Sequence, residues 1–224
     1  MLFVRDFLAY LFEYALVCGI MYDMILCAAG AGRVRVTGMT IVLASGSPRR
    51  RELMAKAGYD FVVRPTDADE RVEGLPRERV MALARRKAEA SSEEALPVLS
   101  ADTLVALGDQ VLGKPRDEAD ARRMLASLSG RTHQVYTGVC IRYRGEYFVD
   151  CERTDVTFRP LTDGEIDEYI ATGEPMDKAG AYGIQGGAGA FVERLEGPFD
   201  NVMGLPMGLV KRMIREHLPE ESQI

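Results

Sequence analysis

An aspartate placed directly behind an apolar run, VLSAD over residues 98–102, has the clearest claim to chemistry in this chain. A carboxylate among residues this apolar must be paired, hold a metal or titrate unusually. Capping of a strand-end amide is the ordinary alternative. Read functionally, Asp102 is a metal ligand, a general base, or both. Magnesium needs only one or two carboxylates beside waters and substrate phosphates, so a sparse acidic set suffices. Glu70, which alone looks like a solvated loop acid, is the natural second carboxylate. Arg49, Arg50 and Arg51 supply a cationic partner set in the first turn of a helix opened by Ser47-Pro48. The helix macrodipole already places roughly +0.5 charge at that end. Three solvated arginines would explain the cluster blandly; a bound polyanion would explain why the conflict is kept. Lys87 and Lys114 are surface lysines by default. Joined to the arginines around a phosphate chain, they become charge-stabilising groups for phosphoryl transfer.

These residues need elements to hold them. The apolar run TIVLA reads as a buried strand, followed by a helix with Ser47 as N-cap, Pro48 at its first position and a stop at Gly58. Asp60 to Arg64 reads as a second strand. Pro76 to Ser91 is a helix whose apolar stripe is Val80, Leu83, Ala84 and Ala88, with Lys87 beside it. PVLSADTLVAL turns at Gly108-Asp109 and returns as QVLGKP. Asp117 caps a helix ending at Gly130, and a long hairpin covers roughly His133 to Phe158. Thr162-Asp-Gly-Glu165 is a capping box. The glycine-rich stretch from Gly180 to Gly189 precedes a strand over 190–195, and the last helix begins near Pro206. Alternating strands and helices indicate an α/β domain. GDQVLGK, from Gly108 to Lys114, imitates part of a P-loop, but Pro115 stands where Ser or Thr should bind magnesium, and the segment lies on a hairpin arm.

With 224 residues the chain is long enough for a sizeable core, and its net charge of −6 argues against a nucleic-acid binder. A basic cluster inside an acidic protein suits a small anionic ligand instead. The four cysteines lack CxxC spacing and there are two histidines, which disfavours zinc. A turn at Arg144-Gly145 pairs Cys140 with Val149, so Cys140 and Cys151 are not opposed; reduced thiols in the cytoplasm are expected. Met1 to Ala29 is apolar and aromatic but interrupted by Asp6, Glu13 and Asp23, too broken for a membrane span or a clean signal peptide, and GAGRVRVTG after it reads as a linker. Residues 1–38 are expected to form a poorly ordered leader outside the fold, with the working domain over 39–224. An amphipathic helix packed on the domain or on a partner is the alternative.

Three blocks carry a family resemblance: LASGSPRRRELMAKAG, then SADTLVALGDQVLGKPRDEADARRMLASLSGRTHQVYTG, then GEPMDKAGAYGIQGGAGAFVERLEGPFDNVMGLP. Their order and length resemble the signature blocks of the Maf family of nucleoside triphosphate pyrophosphatases, from about Thr40 to the last helix. The resemblance implies an α/β fold with an elongated mixed β-sheet flanked by helices, two lobes and a cleft, often in a homodimer. It implies hydrolysis between the α- and β-phosphates with a divalent metal, Mg2+ or Mn2+. By that resemblance Asp102 is the catalytic acid. Ser45, Arg50, Glu70, Lys87 and Lys114 match phosphate- and metal-handling positions, with Glu70 and Asp102 on the metal. Arg49, Thr103 and Gln185 match base-specificity positions and resemble the branch acting on dTTP and UTP. The branch acting on 7-methyl-GTP carries glutamine for the threonine and glutamate for the glutamine. Gly197-Pro-Phe199 departs from the usual Gly-Ser-Tyr. A nucleotide-binding regulator of cell division, using the same pocket without turnover, is the reading from another class.

Overall fold

The computed structural model describes residues 39–219; the expected leader and Cys18 and Cys27 lie outside the described residues. The strands are β1 (Ile41–Leu43), β2 (Phe61–Val63), β3 (Val98–Leu107), β4 (Gln110–Leu112), β5 (Thr132–Tyr143), β6 (Glu146–Phe158) and β7 (Val192–Glu196). The α-helices are α1 (Pro48–Lys56), α2 (Pro76–Glu89), α3 (Glu118–Leu128), α4 (Asp163–Ala171), α5 (Phe199–Met203) and α6 (Met207–His217). Three short 3-10 turns, Glu174–Asp177, Ala179–Ala181 and Gly187–Phe191, lead into β7. The strands form one mixed sheet in the order β2-β1-β3-β5-β6-β7, with β4 paired to β3 off that path.

Strand β3 organises the molecule. One of its edges is covered by β5 from Val98 to Ala106. On the other edge β1 runs parallel to Val98 and Leu99, while β4 runs antiparallel to Val105, Ala106 and Leu107. The sheet therefore forks, leaving a notch beside residues 100–104. Because side chains alternate across a strand, the two faces of β3 serve different packing partners. Leu99 and Ala101 join a core with β1, α1 and α6, whereas Val105 joins a second core with α3, α4 and the 3-10 segment. These two cores share one face of the sheet and define the two lobes, with the polar pair Thr103 and Thr137 between them. On the opposite face, Leu104 and Ala106 pack against Val80, and Cys140 packs against Ala84 and Ala88, so α2 covers that side.

Helix α2 lies unusually close to β5. A Cβ on Gly138 would stand 2.3 Å from the Val80 carbonyl oxygen and 2.8 Å from the Met81 nitrogen. Only the lack of a side chain permits this approach, which sets the height of Lys87 over β3. The apolar stripe read from sequence, Val80, Leu83, Ala84 and Ala88, is buried throughout. The capping box at Thr162 and Glu165 forms, and Asp117 accepts the Asp120 N–H at 2.7 Å. The β5–β6 hairpin pairs Cys140 with Val149 and Gly138 with Cys151, leaving both thiols free as expected. Ser47 holds the N-cap position of α1 without a side-chain cap bond; its own N–H is instead donated to Ser45 Oγ at 3.3 Å.

Candidate active site

The notch in the sheet opens into a cleft of about 790 Å³. Among the residues expected from sequence, Arg49, Arg50, Glu70, Lys87, Asp102, Thr103, Lys114 and Gln185 all line it. Ser45 does not; it is buried behind Arg50, with 8 % of its surface exposed.

Asp102 projects from β3 toward α2, where Lys87 Nζ donates to its Oδ1 at 2.6 Å. The same ammonium meets Glu70 Oε1 at 2.8 Å, reaching it from the loop before α2. Burial pulls the Lys87 pKa down, but the charges and hydrogen bonds of Asp102 and Glu70 outweigh it and leave it raised. The Lys87 hydrogen bond in turn lowers Glu70. Lysine is therefore a fixed cation here, and it leaves Asp102 Oδ2 available. Among the described residues no group of three or more His, Cys, Asp and Glu converges as a metal cage. Two carboxylates gathered on one ammonium are nonetheless a fitting donor pair for a hard divalent ion that keeps waters and takes substrate phosphates as its other ligands.

Arg50, next to Asp102 in sequence-predicted function, turns out to close the fork. Its Nη1 donates to Ala101 O at 2.8 Å and to Ser45 Oγ at 3.0 Å, and its Nε donates to Gly204 O at 2.8 Å. Its Nη2 reaches Thr103 Oγ1 at 3.2 Å. Ala44, just past the end of β1, donates to Leu99 O at 2.8 Å, two residues before Ala101 on the same strand edge. The guanidinium thus continues, with side-chain N–H groups, the ladder that the backbone abandons. Of the five N–H groups of an arginine, one on Nη2 stays free for a ligand. Burial of the guanidinium, opposed by Asp102, brings its pKa down to about 10, so it stays charged at neutral pH. Gly204, at φ 106, presents the accepting carbonyl from the end of α5.

Thr103 faces the other way from Asp102, into the polar waist between the lobes. Its hydroxyl pairs with Thr137 Oγ1 at 3.0 Å, and Thr137 donates to Asn201 O at 2.9 Å. With the Thr137 proton spent on Asn201, the Thr103 proton must point at Thr137, leaving Thr103 an acceptor toward the cleft. Gln185 is exposed at the tip of the glycine-rich loop. That loop is cinched by Glu174: Oε2 accepts the Gly187 N–H at 3.1 Å, and Oε1 accepts the Tyr169 hydroxyl at 3.0 Å. Tyr169 in turn accepts the Gly183 N–H at 3.0 Å. A Cβ on Gly186 would lie 2.0 Å from Glu174 Oε1, so a side chain there would push the carboxylate off the loop it cinches. Arg49 lines the same end, and its charge helps lower Asp177, after the larger effect of Lys178.

Sequence reasoning overlooked several cleft residues. Glu174, Asp177 and Lys178 line it, with Lys178 Nζ donating to Asp177 Oδ1 at 2.7 Å and to Glu174 O at 2.8 Å. Their signal was their place in the third block, GEPMDKAG. Arg79 also lines the cleft, and no sequence pattern distinguishes it from the other arginines of α2.

A family model described as Maf-like protein matches residues 40–217. The chain belongs to the Maf family. Its Maf domain is 52 % identical over 181 residues to a protein of Anaeromyxobacter dehalogenans named dTTP/UTP pyrophosphatase, covering 78 % of this chain and 92 % of that protein. A Thermococcus gammatolerans protein of the same name is 51 % identical over 174 residues, covering 77 % of this chain and 94 % of its own length. The Bacillus cytotoxicus protein, again so named, is 48 % identical over 179 residues, with 78 % and 92 % covered. In this Maf fold the forked mixed sheet, the two lobes and the cleft agree with what the sequence blocks imply.

Proposed function

We propose that this chain hydrolyses dTTP and UTP between the α- and β-phosphates, releasing the nucleoside monophosphate and pyrophosphate. The observation that carries this reading is the meeting of Asp102 and Glu70 on Lys87 at the notch, beside Arg50 and Lys114. The relatives named dTTP/UTP pyrophosphatase support the same substrate class.

In this scheme the triphosphate lies along the notch with its α-phosphate at Asp102. Lys87 and Lys114, with the free N–H of Arg50, offset its charge. A water held by Asp102 Oδ2 attacks the α-phosphorus in line; its proton passes to that carboxylate as the bond to the bridging oxygen breaks and pyrophosphate departs. Asp102 and Glu70 would hold a divalent ion, Mg2+ or Mn2+, which supplies charge neutralisation at the phosphate oxygens. At the other end Gln185 offers an amide donor and acceptor, and Arg49 a second donor, to a base that presents one N–H between two carbonyls, with Thr103 lining the same cleft. Thymine and uracil do so. Ser45 acts through Arg50, as the buried acceptor that orients it.

Among the described residues no helix is long and apolar enough to cross a membrane. A cytoplasmic housecleaning role, with the leader of residues 1–38 outside a homodimeric enzyme domain, completes the proposal. Pyrophosphate release from a panel of canonical and modified nucleotides, with Mg2+ and with Mn2+, tests it. Preference for dTTP and UTP is expected; preference for 7-methyl-GTP would overturn the substrate assignment. Asp102→Asn should lower kcat by about 10²-fold or more while leaving the thermal midpoint near the parent's. Near-normal turnover by the folded variant would remove Asp102 from the chemistry.

A further inference from the structure

Arg79, Leu83 and Lys87 recur at every fourth position of α2 and line the cleft as one stripe. Lys87 is committed to Asp102 and Glu70, but among the described residues the Arg79 side chain has no hydrogen-bond or ion-pair partner. Its Nε is buried without a hydrogen-bond partner, and among the described residues no carboxylate forms an ion pair with it. A buried donor left unmade is unfavourable, and a guanidinium N–H more so. The position of Arg79 indicates what would satisfy it.

Helix α2 runs antiparallel to β3. Ala84 O accepts from Ser100 Oγ at 2.6 Å, while Val80, one turn earlier, packs on Leu104 and Ala106 with Val111 of β4 beside them. Arg79, next to Val80, therefore stands at the β4 side of the notch, where Gly113 and Lys114 emerge. From Lys87 it is about 12 Å along the helix axis at 1.5 Å per residue, a gap that two long side chains and a phosphate chain can close. The base-facing groups Thr103 and Gln185 belong to the other face of β3: Thr103 pairs with Thr137, and the segment leading to Gln185 packs through Gly180 on Val105. Arg79, and Lys114 whose charge acts on Glu70, thus lie on the α2 side of the notch, away from the base-facing side.

The structure assigns Arg79 to the β- and γ-phosphates, the part of the triphosphate that leaves; the assignment rests on the pyrophosphatase reading of this site. Its planar fork suits bidentate contact with phosphate oxygens. Negative charge grows on pyrophosphate as the bridging bond breaks, so the contact strengthens toward the transition state and aids departure as well as binding.

Arg79→Met, which keeps the apolar stem, and Arg79→Lys, which keeps the charge, test the assignment. Direct binding of inorganic pyrophosphate and of dTMP is measured by calorimetry beside dTTP turnover. Arg79→Met should weaken pyrophosphate binding about tenfold or more, lower kcat/KM for dTTP by a similar factor, and leave dTMP binding unchanged. Arg79→Lys should recover part of both losses, and it carries the test alone if the methionine variant fails to fold. Unchanged pyrophosphate binding, or equal weakening of dTMP and pyrophosphate, would overturn the assignment. A parent protein that turns over no nucleoside triphosphate would instead sink the pyrophosphatase reading itself.

Discussion

Arg50→Lys separates two accounts of the arginine at the notch: a phosphate ligand, or the closure of the fork in the sheet. The substitution keeps the positive charge and removes the fork. Arg50 serves two backbone carbonyls at once, Ala101 O and Gly204 O, each at 2.8 Å and from different nitrogens. A single ammonium cannot span both. Thr103 can fall back on Thr137 and Ser45 on the Ser47 N–H, so the hydroxyls lose little. One carbonyl is left without its donor, which costs about 1–3 kcal/mol, and a charge-assisted bond of roughly 1.5 kcal/mol or more goes with it. The sum is about 3 kcal/mol, a large part of a typical stability of about 5–15 kcal/mol. With a urea m-value of about 2 kcal/mol/M, the unfolding midpoint of the ligand-free protein should drop by about 1.5 M. Urea unfolding followed by far-UV circular dichroism reads this directly, since no nucleotide is present to involve phosphate binding. A midpoint within about 0.3 M of the parent, with turnover nonetheless lost, would refute the structural role and leave Arg50 as a ligand alone.

Gly138→Ala should destabilise by about 2 kcal/mol or more, because both atoms a Cβ would strike, Val80 O and Met81 N, belong to backbone that cannot rotate aside. Turnover of dTTP should fall with it, since Lys87 rides on the displaced helix; parent-like melting and activity together would contradict the close approach. His133 gives a pH prediction. Its Nε2 pairs with the Tyr182 hydroxyl at 2.8 Å, and burial holds its pKa down at about 4. The unfolded chain, with a histidine pKa of about 6.5, binds a proton that the native state refuses, so this contribution is complete above pH 6.5 and drains away as pH falls to about 4. It amounts to about 3 kcal/mol. Urea midpoints at pH 7.5 and 4.5 should therefore differ less in His133→Gln than in the parent, and an equal difference in both would discount His133.

The local signals in the sequence were accurate where chemistry is local. Asp117, Thr162 and Glu165 cap helices, the α2 stripe is buried, and the turn at Arg144-Gly145 sets the hairpin register, because each depends on neighbours within a few residues. Asp102 was legible for a similar reason: an acid inside an apolar strand must have a partner. What escaped depends on residues far apart in the chain. The bonds from Arg50 to Gly204 and from Thr137 to Asn201 span long separations, and nothing near either residue announces them. Arg79 was invisible because its distinction is a missing partner, which only the folded surroundings define. Ser47 looked like a side-chain cap by type and position, yet Ser45, one pleat away from β1, supplies the oxygen that its own N–H uses.

Asp102 and Thr103 are consecutive on β3 but face opposite sides of the sheet, one toward α2 and Lys87, the side proposed for phosphate, the other toward the waist and Thr137, the side proposed for the base. The strand therefore works as a reading frame. Deleting or inserting one residue upstream within it would exchange the two sides, sending a carboxylate into the waist against Thr137 and a hydroxyl toward Lys87. Catalysis and base choice would fail together, although every residue type were still present. Substitutions at either position, by contrast, leave the neighbour's side of the sheet intact. On the proposed reading, changing the preferred base by mutation is open at Gln185 without disturbing the hydrolytic half, whereas a change at Thr103 also removes an acceptor of Arg50.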